Sequence, residues 1–174
     1  MGALTLHDLD EIRKQGLRPT IVGCFVNDKK VLLVFHEEYN LWQLPQGGVG
    51  NNEEAEKALQ RELREELGED LVMYAKRKPN YMGRDQIVFK ESKHGMRELQ
   101  TDDGKPVKMQ GKCYLFYAIE VPVTQLDMEA SEFDNYKWVS YDSALATAEE
   151  IYQPGKQRIT QKAIELLNEQ GFIE

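Results

Sequence analysis

The chain has 174 residues, 41% of them hydrophobic and 30% charged, a balance that suits one globular domain over residues 1–174 and excludes a disordered or fibrous chain. Its formal net charge of −8 argues against broad, sequence-independent nucleic-acid binding, which depends on cationic surface, but not against recognition of one phosphorylated end by a local basic patch. No apolar run approaches the ~20 residues of a membrane span and the N-terminus has no signal-peptide core, so a cytoplasmic protein without membrane contact is the expectation.

Residues 3–15 read as a short helix with an acidic start, within an N-terminal extension over 1–17. Thr20 to Val26 form a strand, Asn27 to Lys30 a hairpin turn, and VLLVFH the returning strand. His36-Glu37-Glu38 lacks the spacing of an HExxH metal helix and reads as a loop. Pro45 ends regular structure just before a glycine loop. Beyond residue 68, a strand is expected over 71–75, then two short strands at Tyr81 and 87–89, separated by a turn at Gly83. Residues 90–110 are polar and turn-rich, either an exposed hairpin or a substrate-facing lid carrying Lys105, Lys108 and Lys112. CYLFYAIEV, 113–121, is the clearest strand of the chain. An acidic loop over 127–135 leads to a strand, YKWVSY, and helices over 143–151 and 156–169 close the chain as core packing. Cys24 and Cys113, the only cysteines, lie in apolar strand-like runs and are expected to be buried thiols. Strands and helices mix without strict alternation, which predicts an α+β, or mixed α/β, layout.

The chain is organised around GGVGNNEEAEKALQRELREELGE, residues 47–69. Gly47, Gly48 and Gly50 allow close approach of backbone to a ligand. The spacing predicts a helix over 53–67, capped by Asn51 or Asn52, with Glu54 completing a capping box and Gly68 at the C-terminal cap. At 100° per residue, Glu62, Glu65 and Glu66 crowd an arc of roughly 100°, beside a buried flank of Ala55, Leu59, Leu63 and Leu67. Like charges so placed repel one another, and a hard divalent cation, Mg2+ or Mn2+, removes that cost. The alternative is a solvated acidic face.

The run reads Gly47, five residues, Glu53, seven residues, then Arg61-Glu62-Leu63-Arg64-Glu65-Glu66-Leu67-Gly68. It resembles the Nudix box of the Nudix hydrolases, GX5EX7REUXEEXGU, where U is a bulky aliphatic residue; the last U is Glu69 here, a departure at a packing position. Arg18-Pro19, Trp42 to Gly48 (WQLPQGG), Gln110-Gly111-Lys112 and Glu132 to Tyr141 (EFDNYKWVSY) look like the bacterial RNA pyrophosphohydrolases and the related diadenosine polyphosphate hydrolases. That likeness covers roughly residues 18–141. Leu44 stands where that group has Phe, Asn52 where it has Gly, and 82–110 aligns poorly.

The resemblance implies a mixed sheet sandwiched between helices, with the box as a loop–helix–loop. It implies a Mg2+-dependent hydrolase, with Mn2+ able to substitute, that cleaves phosphoanhydride bonds of nucleoside polyphosphates. Dinucleoside polyphosphates and the 5′-triphosphate end of RNA are the rival substrates, and the protein would act as a monomer or homodimer. By position in the motif, Glu62, Glu65 and Glu66 hold metal with the Gly47 carbonyl, while Glu53 and Arg61 pair and fix the loop on the helix. Glu132 is either a further metal ligand or general base, or part of an acidic surface loop; the base is Glu65 or Glu132. Arg18, Lys112 and Gln46 are candidate phosphate contacts, the two cations being alternatively plain surface charges. Tyr81 and Phe133 are candidate base-stacking rings, or core. A catalytically silent nucleotide-binding module on the same fold is the alternative function; the intact box carboxylates speak against it. A calcium-binding scaffold ranks last, since no DxDxDG loop is present.

Overall fold

Leu17–Asn27 (β1) and Gly111–Glu120 (β8) are nearly continuous apolar runs, buried along almost their whole length. Such runs suit strands covered on both faces, and these two pair in parallel over ten positions, from Leu17–Gly111 to Val26–Glu120. The computed structural model describes residues 2–68, 78–122 and 124–174. The strand expected over 71–75 lies outside them.

Around the β1–β8 pair the other strands run antiparallel. Lys30–His36 (β2) returns from β1 through Asp28 and Lys29, both left-handed at φ 47° and 61°, as a two-residue hairpin turn requires. Leu41–Gln43 (β3) and Asn135–Val139 (β9) pair with β2. Gln46–Gly48 (β4) pairs with β1, setting Val22 against Gln46 and Thr20 against Gly48. Asn80–Val88 (β5) pairs with β8. The result is a seven-stranded mixed sheet, with a separate hairpin of Glu98–Gln100 (β6) and Pro106–Lys108 (β7).

Helices cover both faces. Leu6–Lys14 (α1), opened by a capping box between Thr5 and Asp8, and Ala55–Leu67 (α2) bury Leu9, Ile12, Leu59, Leu63 and Leu67 against Ile21, Phe25 and Leu115. Tyr141–Glu149 (α3) and Pro154–Glu169 (α4) bury Ala144, Ile159, Ile164 and Leu167 against Val22, Cys24 and Phe116 on the opposite face. The alternation along β1 explains the split: Ile21 and Phe25 point to α2, Val22 and Cys24 to α4. The layout is the helix-flanked mixed sheet that the α+β expectation described.

Three local expectations need correcting. Tyr81 and 87–89 are one strand, not two; a β-bulge between Tyr81 and Gly83 absorbs the irregularity while pairing with β8 continues. His36 ends β2 rather than lying in a loop, and Glu37–Tyr39 form one 3-10 turn. Neither Asn51 nor Asn52 caps α2. The helix starts after Glu54, which makes no side-chain cap bond, while Asn51 Nδ2 and the Asn52 N–H donate to Asp102 in the β6–β7 turn. Residues 90–110 are thus a hairpin whose turn docks on the glycine loop; Lys105 stays exposed, 3.6 Å from Asp103. Cys24 and Cys113 are buried free thiols, as expected.

Candidate active site

β4 is three residues long, and the two sides of this strand differ in chemistry. One side faces α2. Gly47, paired with Ile21, lies directly against Glu62: a Cβ added at Gly47 would fall 2.5 Å from Glu62 Cδ and Oε2. Only glycine permits that approach. Arg61 then ties the loop to the helix. Its Nε and Nη2 donate to the two carboxylate oxygens of Glu53, both at 2.9 Å, a bidentate fork. Nη1 donates to Glu62 Oε1 at 2.6 Å and Nη2 to the Gly48 carbonyl at 3.1 Å. Glu53 Oε1 also accepts from the Gly50 N–H at 2.8 Å. The hydrogen bonds from Arg61 hold the Glu53 carboxyl below the usual carboxylate range.

Glu66 is the buried member of the acidic arc, 8% exposed. Its Oε2 accepts from the Gln46 N–H at 3.2 Å, and its Oε1 lies 3.6 Å from His36 Nε2. Burial pushes the Glu66 carboxyl up, against His36 and the Gln46 amide, while the Glu66 carboxylate raises the His36 imidazole. That buried nitrogen has no partner within hydrogen-bond distance. Glu65 points outward, 4.0 Å from Arg61. The Glu132 N–H donates to the Glu66 carbonyl at 2.9 Å, so the 127–135 loop is fastened to the end of α2 while the Glu132 residue stays exposed. Among the described residues, no three His, Cys, Asp or Glu groups converge on one point as a ready-made metal cage; Arg61 claims one oxygen of Glu62, and the Gln46 N–H and His36 face the two oxygens of Glu66. The donor chemistry still fits a hard divalent ion: carboxylate oxygens one helical turn apart, one of them desolvated, beside an exposed backbone loop.

The other side of β4 faces α4. Arg18 and Lys112 are directly opposite each other in the β1–β8 register. The Arg18 guanidinium lies over Gly48, where any side chain would collide with it. Lys156, in the first turn of α4, lines a narrow cleft with Gln43, Gln46, Tyr114 and Ile151. Burial, then the charges of Arg18, Lys156 and Arg97, push Lys112 down; burial also lowers Lys156. No carboxylate among the described residues pairs with Arg18, Lys112 or Lys156. Three cations held beside a glycine strand can donate to several phosphate oxygens.

The structure therefore brings together Gly47, Glu53, Arg61, Glu62 and Glu66, with Glu65 and Glu132 at the rim. It places Arg18, Lys112 and Gln46 beside them across β4. It does not bring in the two aromatic candidates. Phe133 is 4% exposed in the core under α2. Tyr81 packs on Tyr117, ring centroids 5.5 Å apart, on β5, with β1 and β8 between it and β4. His36 and Lys156 carry no spacing signal in the sequence, although His36 ends a strand and Lys156 follows a Pro-Gly helix start.

The NUDIX domain model matches residues 17–162. The chain is 33% identical over 137 residues to an RNA pyrophosphohydrolase of Pasteurella multocida, which covers 72% of this chain and 63% of that one. It is 30% identical over 138 residues to an RNA pyrophosphohydrolase of Campylobacter jejuni subsp. doylei, covering 77% and 78%. The chain thus spans just under two thirds of the length of the Pasteurella relative. Among solved structures, the E. coli dihydroneopterin triphosphate pyrophosphohydrolase superposes with TM-score 0.58 at 19% identity, over 86% of this chain and 95% of that one. The MutT NUDIX hydrolase from Burkholderia pseudomallei gives TM-score 0.56 at 19% identity, over 86% and 97%. At these identities the structural likeness is one of fold.

Proposed function

The chain belongs to the NUDIX family, and from that premise we propose that it is a divalent-metal-dependent hydrolase of nucleoside polyphosphate anhydrides. The observation that carries this reading is the opposed chemistry of the two sides of β4: carboxylates and a glycine carbonyl on one, three uncompensated cations on the other. A polyphosphate chain laid across β4 would meet both. The described residues are read as one folded unit, α1 included, since Leu9 and Ile12 share the core of α2.

Glu62, Glu65, Glu66 and the Gly47 carbonyl would hold Mg2+, or Mn2+ in its place, with Glu132 joining from its loop. When bound, such an ion neutralises phosphate charge and lowers the pKa of attached water. Arg18, Lys112 and Lys156 receive the phosphates on the far side. The Gln46 N–H braces Glu66, and Gln46 also lines the cleft that holds Lys156, so one residue ties the two sides together. Water adds to one phosphorus as the opposite anhydride P–O bond breaks. The bonding pair leaves with the released phosphate oxygen, and the water proton passes to Glu65 or Glu132, the two carboxylates exposed at the rim. Positioning and electrostatics supply most of the rate.

The RNA pyrophosphohydrolases to which the chain is similar make a 5′-triphosphorylated RNA the first substrate, with diadenosine polyphosphates the rival. The test offers both to the purified protein at equal concentrations of Mg2+ or Mn2+ and identifies the products. Phosphate or pyrophosphate release from the RNA end, faster than from the dinucleotide, is expected. A large preference for the dinucleotide would replace the substrate, and nucleotide binding without turnover under either metal would overturn the enzymatic reading.

A further inference from the structure

We infer that Arg13 and Asp102 are positioning residues: from outside the acidic helix, they set the Gly47–Glu53 loop and, through it, the Glu62 carboxylate. The consequences for metal affinity and turnover rest on the hydrolase reading above; the positioning of the loop does not.

Arg13 sits in the last turn of α1 and is 3% exposed. A buried guanidinium persists only where its donors are filled. Its Nη2 donates to the Gly50 carbonyl at 2.8 Å and the Val49 carbonyl at 3.3 Å, and its Nη1 to Asp102 Oδ1 at 3.1 Å. The same Asp102 oxygen accepts from Asn51 Nδ2 and the Asn52 N–H, each at 3.0 Å. The Asp102 N–H is held in turn by Asp10 of α1 at 2.8 Å. Helix α1 and the β6–β7 turn thus grip Val49 to Asn52 from two directions.

The grip continues inward without a gap. Gly50 N–H binds Glu53, Glu53 binds Arg61 at both oxygens, and Arg61 binds Glu62 and the Gly48 carbonyl. Attachment of α1 to the core is not what this network is for. Leu9 and Ile12 already accomplish that by burial, and a helix needs no buried charge aimed at loop carbonyls to stay docked. The sequence also offers α2 two asparagine caps, yet neither caps it, and both donate to Asp102 instead. Asn52 is held at φ 54°, a left-handed conformation that persists where its surroundings fix it. Arg13 precedes the residues that match the family model, whereas Asp102 and the loop it holds lie within them.

The experiment compares Asp102→Ala and Arg13→Lys with wild type. Exchange of the Gly50 amide is the central readout, because that N–H bonds Glu53 and neither mutated residue. The Mn2+ dissociation constant without substrate, kcat, KM and Tm are measured alongside. Loss of a partner behind a metal ligand should weaken Mn2+ binding about 10-fold, lower kcat in step with little change in KM, and speed Gly50 exchange, in variants that are less stable but still fully folded at the assay temperature. The double variant should fall little further than either single one, since both cut the same chain of bonds. Arg13→Lys keeps charge and length, and carries the test if Asp102→Ala does not fold. Wild-type protection at Gly50 in these variants overturns the inference, as does loss of Mn2+ affinity that merely follows a collapse in Tm. A wild-type protein that binds no Mn2+ would sink the hydrolase reading alone, for Gly50 exchange still reports the loop.

Discussion

The two sides of β4 differ in how their charge is balanced. On the α2 side the acids have built-in partners: Arg61 spans Glu53 and Glu62, and the Gln46 N–H with His36 faces Glu66. On the α4 side, Arg18, Lys112 and Lys156 are gathered with no carboxylate among the described residues to answer them, and Lys112 is half-buried and pushed down. Evolution of a stable fold alone would pair or disperse those cations. The contrast separates a framework that sets geometry in the free protein from a surface whose repulsion is relieved only when an anion arrives. A polyphosphate needs both, one to orient the reacting atoms and one to receive the charge.

The comparison breaks most sharply at Glu66. Gln at this position keeps an acceptor for the Gln46 N–H and removes a desolvated carboxylate, so Tm should hold or rise. Turnover should nevertheless fall about 100-fold or more, as when charge aimed at a transition state is removed. Steady-state kinetics beside a thermal melt decide it. Near-normal turnover in Glu66→Gln would mean that the α2 side is framework and nothing else.

Arg61→Lys tests the framework itself. Lysine keeps the positive charge but cannot make the fork to Glu53 while reaching both Glu62 and the Gly48 carbonyl. Misplacing Glu62 should lower kcat about 10-fold with a smaller change in KM. A loss confined to KM would instead put Arg61 on substrate and blur the distinction between the two sides.

How much of this was legible in the sequence depended on distance along the chain. The α2 flank of Ala55, Leu59, Leu63 and Leu67, the helix end at Gly68 and the Glu53–Arg61 pair are all local, fixed by helical period and motif spacing. The long strands β1 and β8 announced themselves as apolar runs. What failed was set by contacts far away. Asn51 and Asn52 have the chemistry of caps, but both are drawn as donors to Asp102, fifty residues on, and α2 starts only after Glu54; nothing local records that. β5 looked interrupted because Gly83 suits both a turn and a bulge, and only its pairing with β8 chooses. Phe133 in its loop and Tyr81 in β5 gave the same signal as stacking rings would, since an aromatic residue reads alike whether it faces solvent or core. Lys156 reaches the site through helix packing, which has no sequence spacing at all.

The cationic side should show the opposite trade to Glu66. Lys112→Met removes a half-buried charge that Arg18 and Lys156 repel, and the methionine stem can pack where the lysine stem did. Tm should rise by about 2 °C, while KM for a polyphosphate rises about 10-fold, as expected for one lost charge-assisted hydrogen bond. Inorganic phosphate should stabilise the wild type against heat more than the variant. If Lys112→Met lowers Tm instead, the cations are compensated by a partner of their own, and the asymmetry across β4 disappears.

The smallest effect is the most direct measure of the framework. The Glu53 carboxyl is depressed from its ordinary value of 4.5, first by its bonds to Arg61 and then by the Gly50 N–H, against the opposing effect of burial. A folded-state pKa below the unfolded one adds stability that is fully present above the unfolded value. That stability is lost as pH falls through the lowered folded value, because protonation cancels the pair with Arg61. Melts taken between about pH 6 and pH 3 should therefore show Tm falling more steeply in wild type than in Glu53→Gln. Glu53 is partly exposed, so salt should shrink the difference. Identical acid slopes would mean that Arg61 is equally well paired by Glu62 without Glu53, and the loop would then be held by Gly48 and Arg13 rather than by this fork.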